Sequence, residues 1–139
     1  MKREIKFRGK RTDNGDWVYG DLEYNRKNKS ARIHTYTPDG YYDRQHFVVN
    51  DTVGQFTGLL DKHGTEIYEG DIIGSRAINH LIRYNSKRAQ FTATLSQYVG
   101  DFMEWSWEGT CEQSWINKFN KEVIGNIHDN PELLKGGKK

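Results

Sequence analysis

The chain has 139 residues, 35% hydrophobic and 13% aromatic, with 21 Lys and Arg set against 19 Asp and Glu. That length suits a single domain able to bury a core without staples, and so many rings at near-zero net charge exclude a wholly disordered chain. A formal charge of +2 demands no acidic partner, and the single Cys111 excludes an intramolecular disulfide or a thiolate metal site within one chain.

In chain order, Glu4 to Arg8 alternates, with Ile5 and Phe7 on one side, which is the period of a half-buried strand. Thr12-Asp13-Asn14-Gly15-Asp16 holds an Asn-Gly pair, whose residues both tolerate positive φ, so a hairpin is expected into a second strand over Trp17 to Tyr24. A polar loop follows (residues 25–30), then a strand from Ala31 to Tyr36. Thr37-Pro38-Asp39-Gly40 suits a type I turn with proline preset at its second position, leading into a fourth strand over Tyr41 to Val49.

The stretch from Val53 to Ile73 places Gly54, Gly58, Asp61-Lys62-His63-Gly64 and Glu69-Gly70 between short apolar pieces. Recurrent glycine there predicts a chain that reverses repeatedly and joins two β-rich halves. Strands are then expected over Asp71 to Ile73, Ile78 to Tyr84, Ala89 to Leu95, Phe102 to Trp107 and Val123 to Ile127. Between them, Trp115, Ile116 and Phe119 fit the stripe of a short, poorly capped helix. Asn130 followed by Pro131 is a helix start that Leu133 and Leu134 would dock.

These elements predict a mainly β fold, extending to β-rich α+β, of many short antiparallel strands in a small barrel-like or coiled sheet with a short C-terminal helix. One domain over residues 1–134 is expected, divisible into 1–52 and 53–134, with a flexible tail at 135–139. With few aliphatics available, large rings are expected to build the core. The N-terminus has no apolar run of a signal peptide, and no stretch approaches a membrane span. A soluble cytoplasmic setting is the corresponding expectation, with no membrane partner.

Three blocks resemble the YopX family. They are Arg3-Glu4-Ile5-Lys6-Phe7-Arg8, then Val53-Gly54-Gln55-Phe56-Thr57-Gly58-Leu59 with Asp61-Lys62-His63-Gly64 and Glu66-Ile67-Tyr68-Glu69-Gly70-Asp71-Ile72, then Val123-Ile124-Gly125-Asn126-Ile127 with Asn130-Pro131-Glu132-Leu133-Leu134. The order is the family's, and the blocks span nearly the whole chain. Gly9-Lys10-Arg11 stands where the family usually has Ala-Trp and an Asp after the arginine. The resemblance implies a small protein carried by phages and prophages of bacterial hosts, forming homo-oligomers, with no assigned catalytic residue and no cofactor.

Charge is unevenly spread. Residues 1–32 hold ten Lys and Arg against five Asp and Glu, and residues 53–134 hold seven against eleven. Such asymmetry fits association between copies as readily as nucleic-acid binding. Lys6, Arg8, Lys10, Arg11, Arg26, Lys27, Lys29 and Arg32 form the candidate nucleic-acid set, beside Tyr19, Tyr24 and Tyr36 as stacking rings. The plainer reading is a solvated face that keeps edge strands from mispairing. Trp105, Trp107 and Trp115 are candidates for a self-association surface, against the plainer reading that they are core.

Asp61, Glu66, Glu69 and Asp71 with His63 lack the spacing of a calcium loop and read better as turn residues, so no metal site is expected. His34, His46, His63, His80 and His128 form no zinc array. Cys111, flanked by Glu108 and Glu112, reads as a structural thiol, since neighbouring carboxylates raise its pKa. A binding protein that self-associates is therefore the leading expectation. Nucleic-acid binding through the basic strands is the alternative, and a small hydrolase or nuclease with a fold-assembled site of Asp, Glu and His is a third.

Overall fold

Strand pairing begins at Phe7 rather than Glu4: in the computed structural model, which describes residues 2–75, 78–99 and 102–135, β1 is Phe7–Lys10. It is followed by β2 (Trp17–Asn25), β3 (Ser30–Tyr36), β4 (Tyr42–Val48) and, after a 3-10 turn at Asn50–Thr52, β5 (Gly54–Leu60). Then come β6 (Glu66–Tyr68), β7 (Asp71–Ser75), β8 (Ile78–Asn85), β9 (Gln90–Val99), β10 (Phe102–Thr110), the helix α1 (Gln113–Lys118) and β11 (Glu122–Asn126).

The strands form two antiparallel sheets, ordered β4-β3-β2-β1-β5-β6 and β10-β9-β8-β7-β11. The fold is mainly β, but neither sheet closes into a barrel among the described residues. The first sheet bends instead, until Arg11 makes a single bridge with Val48 and Thr12 N–H donates to the Phe47 carbonyl at 3.0 Å. The approach is close enough that a Cβ on Gly9 would lie 2.9 Å from the Val48 Cβ. The C-terminal helix start is present as one 3-10 segment, Pro131–Lys135. The tail beyond Lys135 lies outside the described residues. No helix among the described residues is long and apolar enough to cross a membrane.

The chain divides into two compact units, Met1–Gly58 and Leu59–Lys139, with β5 running through the boundary. Each has its own core. In the first, Ala31, Ile33 and Val48 are buried under Phe7, Val18, Leu22 and Val53. In the second, Ile67, Ile73, Ile82, Ala93, Cys111 and Ile116 are buried against Leu59, Phe91, Trp115 and Val123.

These two cores correct the expectation of a ring-built interior. Among the described residues, Phe56 and Tyr68 are the buried Phe, Tyr or Trp side chains; the rest of the interior is mainly isoleucine. Rings collect at the surface because β-branched aliphatics suit the buried face of a pleated sheet, and a Tyr hydroxyl needs a wet end or a partner.

Loop chemistry explains the joints. Asn14 does not take the positive φ of a two-residue hairpin; only Gly15 does, at 75°. The Asn14 side chain accepts the Asp16 N–H at 2.9 Å, and Arg11 N–H reaches the Asp16 carbonyl at 2.8 Å, so the connection is the longer loop built on a type I turn. The β2–β3 and β8–β9 loops are chemically alike. Asn25 Oδ1 accepts the N–H groups of Lys27 and Asn28, and Asn85 Oδ1 those of Lys87 and Arg88. Each loop then places a non-glycine residue at positive φ, Lys29 at 56° and Ala89 at 53°.

Candidate functional site

In the first unit, strand register decides which side chains share a face. Asp21 pairs with His34 and Glu23 with Arg32, while Arg32 pairs with Phe47 and His34 with Gln45. A register shift between Thr35 and Tyr36 sets Tyr36 opposite Tyr42. The outer face of β2–β4 therefore carries a row of rings, amides and charges.

These groups are mutually engaged. His34 Nε2 lies 2.7 Å from Glu23 Oε1, and its Nδ1 lies 3.2 Å from the Tyr42 hydroxyl. Tyr36 donates to Asp21 at 2.8 Å, and that bond to a carboxylate raises the phenol pKa. The Arg32 guanidinium sits 5.0 Å above the Phe47 ring and donates to Gln45 at 3.0 Å. Tyr36 and Tyr42 meet edge to face at 5.8 Å. Even so, Tyr36, Tyr42 and Phe47 are 47, 54 and 52% exposed. A surface of half-exposed rings held in place by polar neighbours is a preorganised contact surface.

The basic set is distributed differently from the expectation. Arg8 is buried, with its guanidinium 4.6 Å over Trp17. Lys6 lies 3.3 Å from Glu4 and 5.1 Å over Phe56, and Lys10 is 5.7 Å from the Trp17 ring. Arg11 is held by both oxygens of Asp13, at 2.9 and 2.6 Å. Arg26, Lys27 and Lys29 are exposed in the β2–β3 loop. Hairpin pairing does not bring the β1 cations to that loop. Arg8 pairs with Tyr19, and the loop begins at Asn25, roughly 20 Å further along the strand. Arg32 is the member that joins the aromatic face.

The tryptophans separate as well. Trp115, on α1, packs on the core of the second unit and meets His80 edge to face at 5.1 Å. Trp107 is 46% exposed and touches the same His80 at 5.9 Å. Trp105 pairs with Gln97 along the backbone, and its side chain lies outside the described residues.

Titratable groups in the second unit are arranged as packing. His80 is buried; desolvation, then the nearby Lys121 charge, push its pKa down to about 4. Lys121 is itself buried, its ammonium 5.2 Å over Trp115, and burial lowers its pKa. Nothing in the local sequence signals this burial, because the pattern around Lys121 is that of a turn. Burial and then Glu112 push the Cys111 thiol up to about 11, the opposite of an activated nucleophile. His63 pairs with Glu122 at 2.8 Å on the surface. Among the described residues, no group of three or more His, Cys, Asp or Glu side chains gathers to hold a metal ion.

The resembling blocks turn out to be joints. Asp61 Oδ1 accepts the N–H groups of His63 and Thr65 at 2.8 and 2.9 Å, and Oδ2 accepts that of Val123 at 2.9 Å. Buried Asp71 accepts the Tyr68 N–H at 2.7 Å. Asn130 Oδ1 caps the Asn126 N–H at 3.2 Å, and a Cβ on Gly125 would lie 2.5 Å from that oxygen. The family model described as YopX protein matches residues 6–135.

The chain belongs to the YopX family. The central and C-terminal blocks of its YopX signature thus include turn staples. No curated protein matches the sequence. Among solved structures, the chain is similar to protein EF1440 from Enterococcus faecalis, at 26% identity and a TM-score of 0.55. That likeness covers 96% of this chain and 99% of the other.

Proposed function

We propose that this YopX-family chain is a non-enzymatic protein, carried by a phage or prophage and working in the bacterial cytoplasm, that acts by binding and self-associates through the outer face of β3 and β4. One observation carries the reading: Tyr36, Tyr42 and Phe47 stand half exposed on a strand pair whose outer member is a sheet edge. Sealing each ring under a second copy is worth about 1 kcal/mol, half the value of burying it from full exposure. Three rings alone fall short of the association cost of 4–15 kcal/mol or so, and main-chain pairing along the stretch of the β4 edge that Arg11 and Thr12 leave open, from Tyr42 to His46, supplies a second contribution. The result is a modest assembly that needs concentration.

Light scattering on the full chain at about 50 µM tests it, where mass action favours an assembly of this strength. A dimer or larger species that Tyr42→Glu with Phe47→Glu converts to monomer is the expected result. A strict monomer overturns the reading.

A second reading, single-stranded nucleic-acid binding, is favoured by Arg32 stacked over Phe47 beside Tyr36 and Tyr42, since exposed rings flanked by a guanidinium suit base stacking. It predicts salt-dependent retention of an oligothymidylate, lost in Arg32→Ala and Phe47→Ala. Retention unaffected by neutralising Lys6, Arg8, Lys10 and Arg11 removes the β1 cations from that surface.

A further inference from the structure

The outer face of the second sheet holds a trough of about 320 Å³, lined by Asn79, Leu81, Arg83, Thr94, Ser96, Ser106, Trp107, Glu108 and Leu134. Register explains its floor. Leu81 pairs with Thr94, Thr94 with Glu108, and Ser96 with Ser106, so three strands present one face. Leu134, from the 3-10 segment, closes one end, and Asn79 fixes that segment by donating to the Leu133 carbonyl at 2.9 Å. The volume is at the low end of the range for small-ligand sites.

The polar groups fall into two kinds. Glu108 is held rigidly, because one of its oxygens accepts from Thr92 Oγ1 and from Asn85 Nδ2. Those two hydrogen bonds, and after them the charges of Arg88 and Arg83, hold its carboxyl below the usual range. Arg83 is exposed and makes no hydrogen bond or close ion pair to a described residue. The Ser96 and Ser106 hydroxyls likewise make no hydrogen bond to a described residue. The trough thus offers one fixed carboxylate, one guanidinium without a hydrogen bond to a described residue, two hydroxyls, and an apolar wall of Leu81 and Leu134, while the Trp107 ring lies on the opposite face, over Gly109 and against His80.

We infer that this trough binds a small zwitterion, a free α-amino acid or a very short peptide, with its carboxylate on Arg83, its ammonium on Glu108 and its apolar side chain against Leu81 and Leu134. Charge balance decides the class. One cation and one anion line the site, so a ligand of near-zero net charge with separated ends leaves neither unpaired. A doubly charged phosphate would face Glu108 with a single guanidinium in compensation, and phosphate sites gather more donors than that.

Titration calorimetry on the full chain, with L-leucine and with the dipeptide Leu-Leu, tests the inference and separates a single amino acid from a peptide. Expected is saturable binding of one of them, weakened about tenfold or more by acetylating the amine, by amidating the carboxylate, or by Arg83→Gln. Arg83 is exposed, so its substitution leaves the fold intact, and circular dichroism verifies this. Leu134→Asp, on the apolar wall, weakens leucine more than glycine. The inference is overturned if neither zwitterion binds at about 10 mM, if the capped ligands bind equally well, or if inorganic phosphate or a nucleoside monophosphate binds in their place. None of these outcomes depends on self-association through β4.

Discussion

The Asp61 carboxylate accepts the Val123 main-chain N–H at 2.9 Å, across 62 residues of sequence. The same side chain accepts two N–H groups of its own turn through the other oxygen. One buried side chain therefore shapes the β5–β6 hairpin and fastens β11, and Lys62 N–H adds a main-chain bond to the Lys121 carbonyl at 3.1 Å. Burial alone would raise the Asp61 pKa, and the three amide bonds outweigh it and lower it.

Removing that carboxylate is expected to cost the second unit dearly. Asp61→Ala leaves three N–H groups without their acceptor, and because part of the turn reaches water the loss is about 3 kcal/mol rather than the full sum. Asp61→Asn keeps one oxygen for the turn but sets an NH2 against the Val123 N–H, so it loses less than alanine and more than nothing. Urea unfolding of both variants measures this. An Asn variant as stable as the parent would show that the Val123 link carries no energy. The sign with pH follows from the lowered carboxyl. Its contribution is complete above the ordinary Asp range and is lost as pH falls through the lower folded value.

Much of this architecture was legible in the residues. Turn chemistry at Gly58, Gly64 and Gly70 is realised as positive φ at 86, 82 and 95°, and the strands on either side lie close to where alternation places them. What alternation does not reveal is which face is covered. Ile5 alternates like a core residue yet is 37% exposed, and Lys121 reads as a turn cation yet is 5% exposed. The partners that decide burial come from distant strands, and one chain of letters carries no signal of them. The trough was invisible for the same reason. Arg83, Ser96, Ser106 and Glu108 lie on three strands and converge only through register.

His80 makes stability depend on pH. Its folded pKa of about 4 lies below the ordinary 6.5, so the unfolded chain binds the extra proton between those values. Stability is then complete above pH 6.5 or so and declines towards about pH 4, by up to roughly 3 kcal/mol for a shift of this size. Urea midpoints across this window should fall as the solution is acidified. His80→Gln should flatten the dependence, and a parent curve already flat would mean that His80 is charged in the fold or reaches water.

Lys29 and Ala89 each pay for a left-handed backbone conformation without a glycine's freedom. Ala89→Gly is expected to raise stability by about 1 kcal/mol, since the relief of the Cβ clash exceeds the entropy glycine adds to the unfolded chain. Lys29→Gly is expected to act alike in the first unit, where the loop has the same asparagine bonds. Chemical denaturation reads both. Destabilisation by either glycine would mean that the loop takes another conformation in solution.

Cys111 offers a reporter of opening in the second unit. The thiol is buried beside Ile116 and pushed up to about 11, first by burial and then by Glu112. At about pH 8 its thiolate fraction in the fold is then on the order of one in a thousand, against roughly a quarter for an ordinary exposed cysteine. Alkylation by iodoacetamide should therefore be slow in buffer and become fast through the urea transition, with the two signals coincident. Fast labelling of the native chain would show that the interior around Ile82, Ala93 and Ile116 opens without global unfolding, and would mark the second unit as the less stable part of the chain.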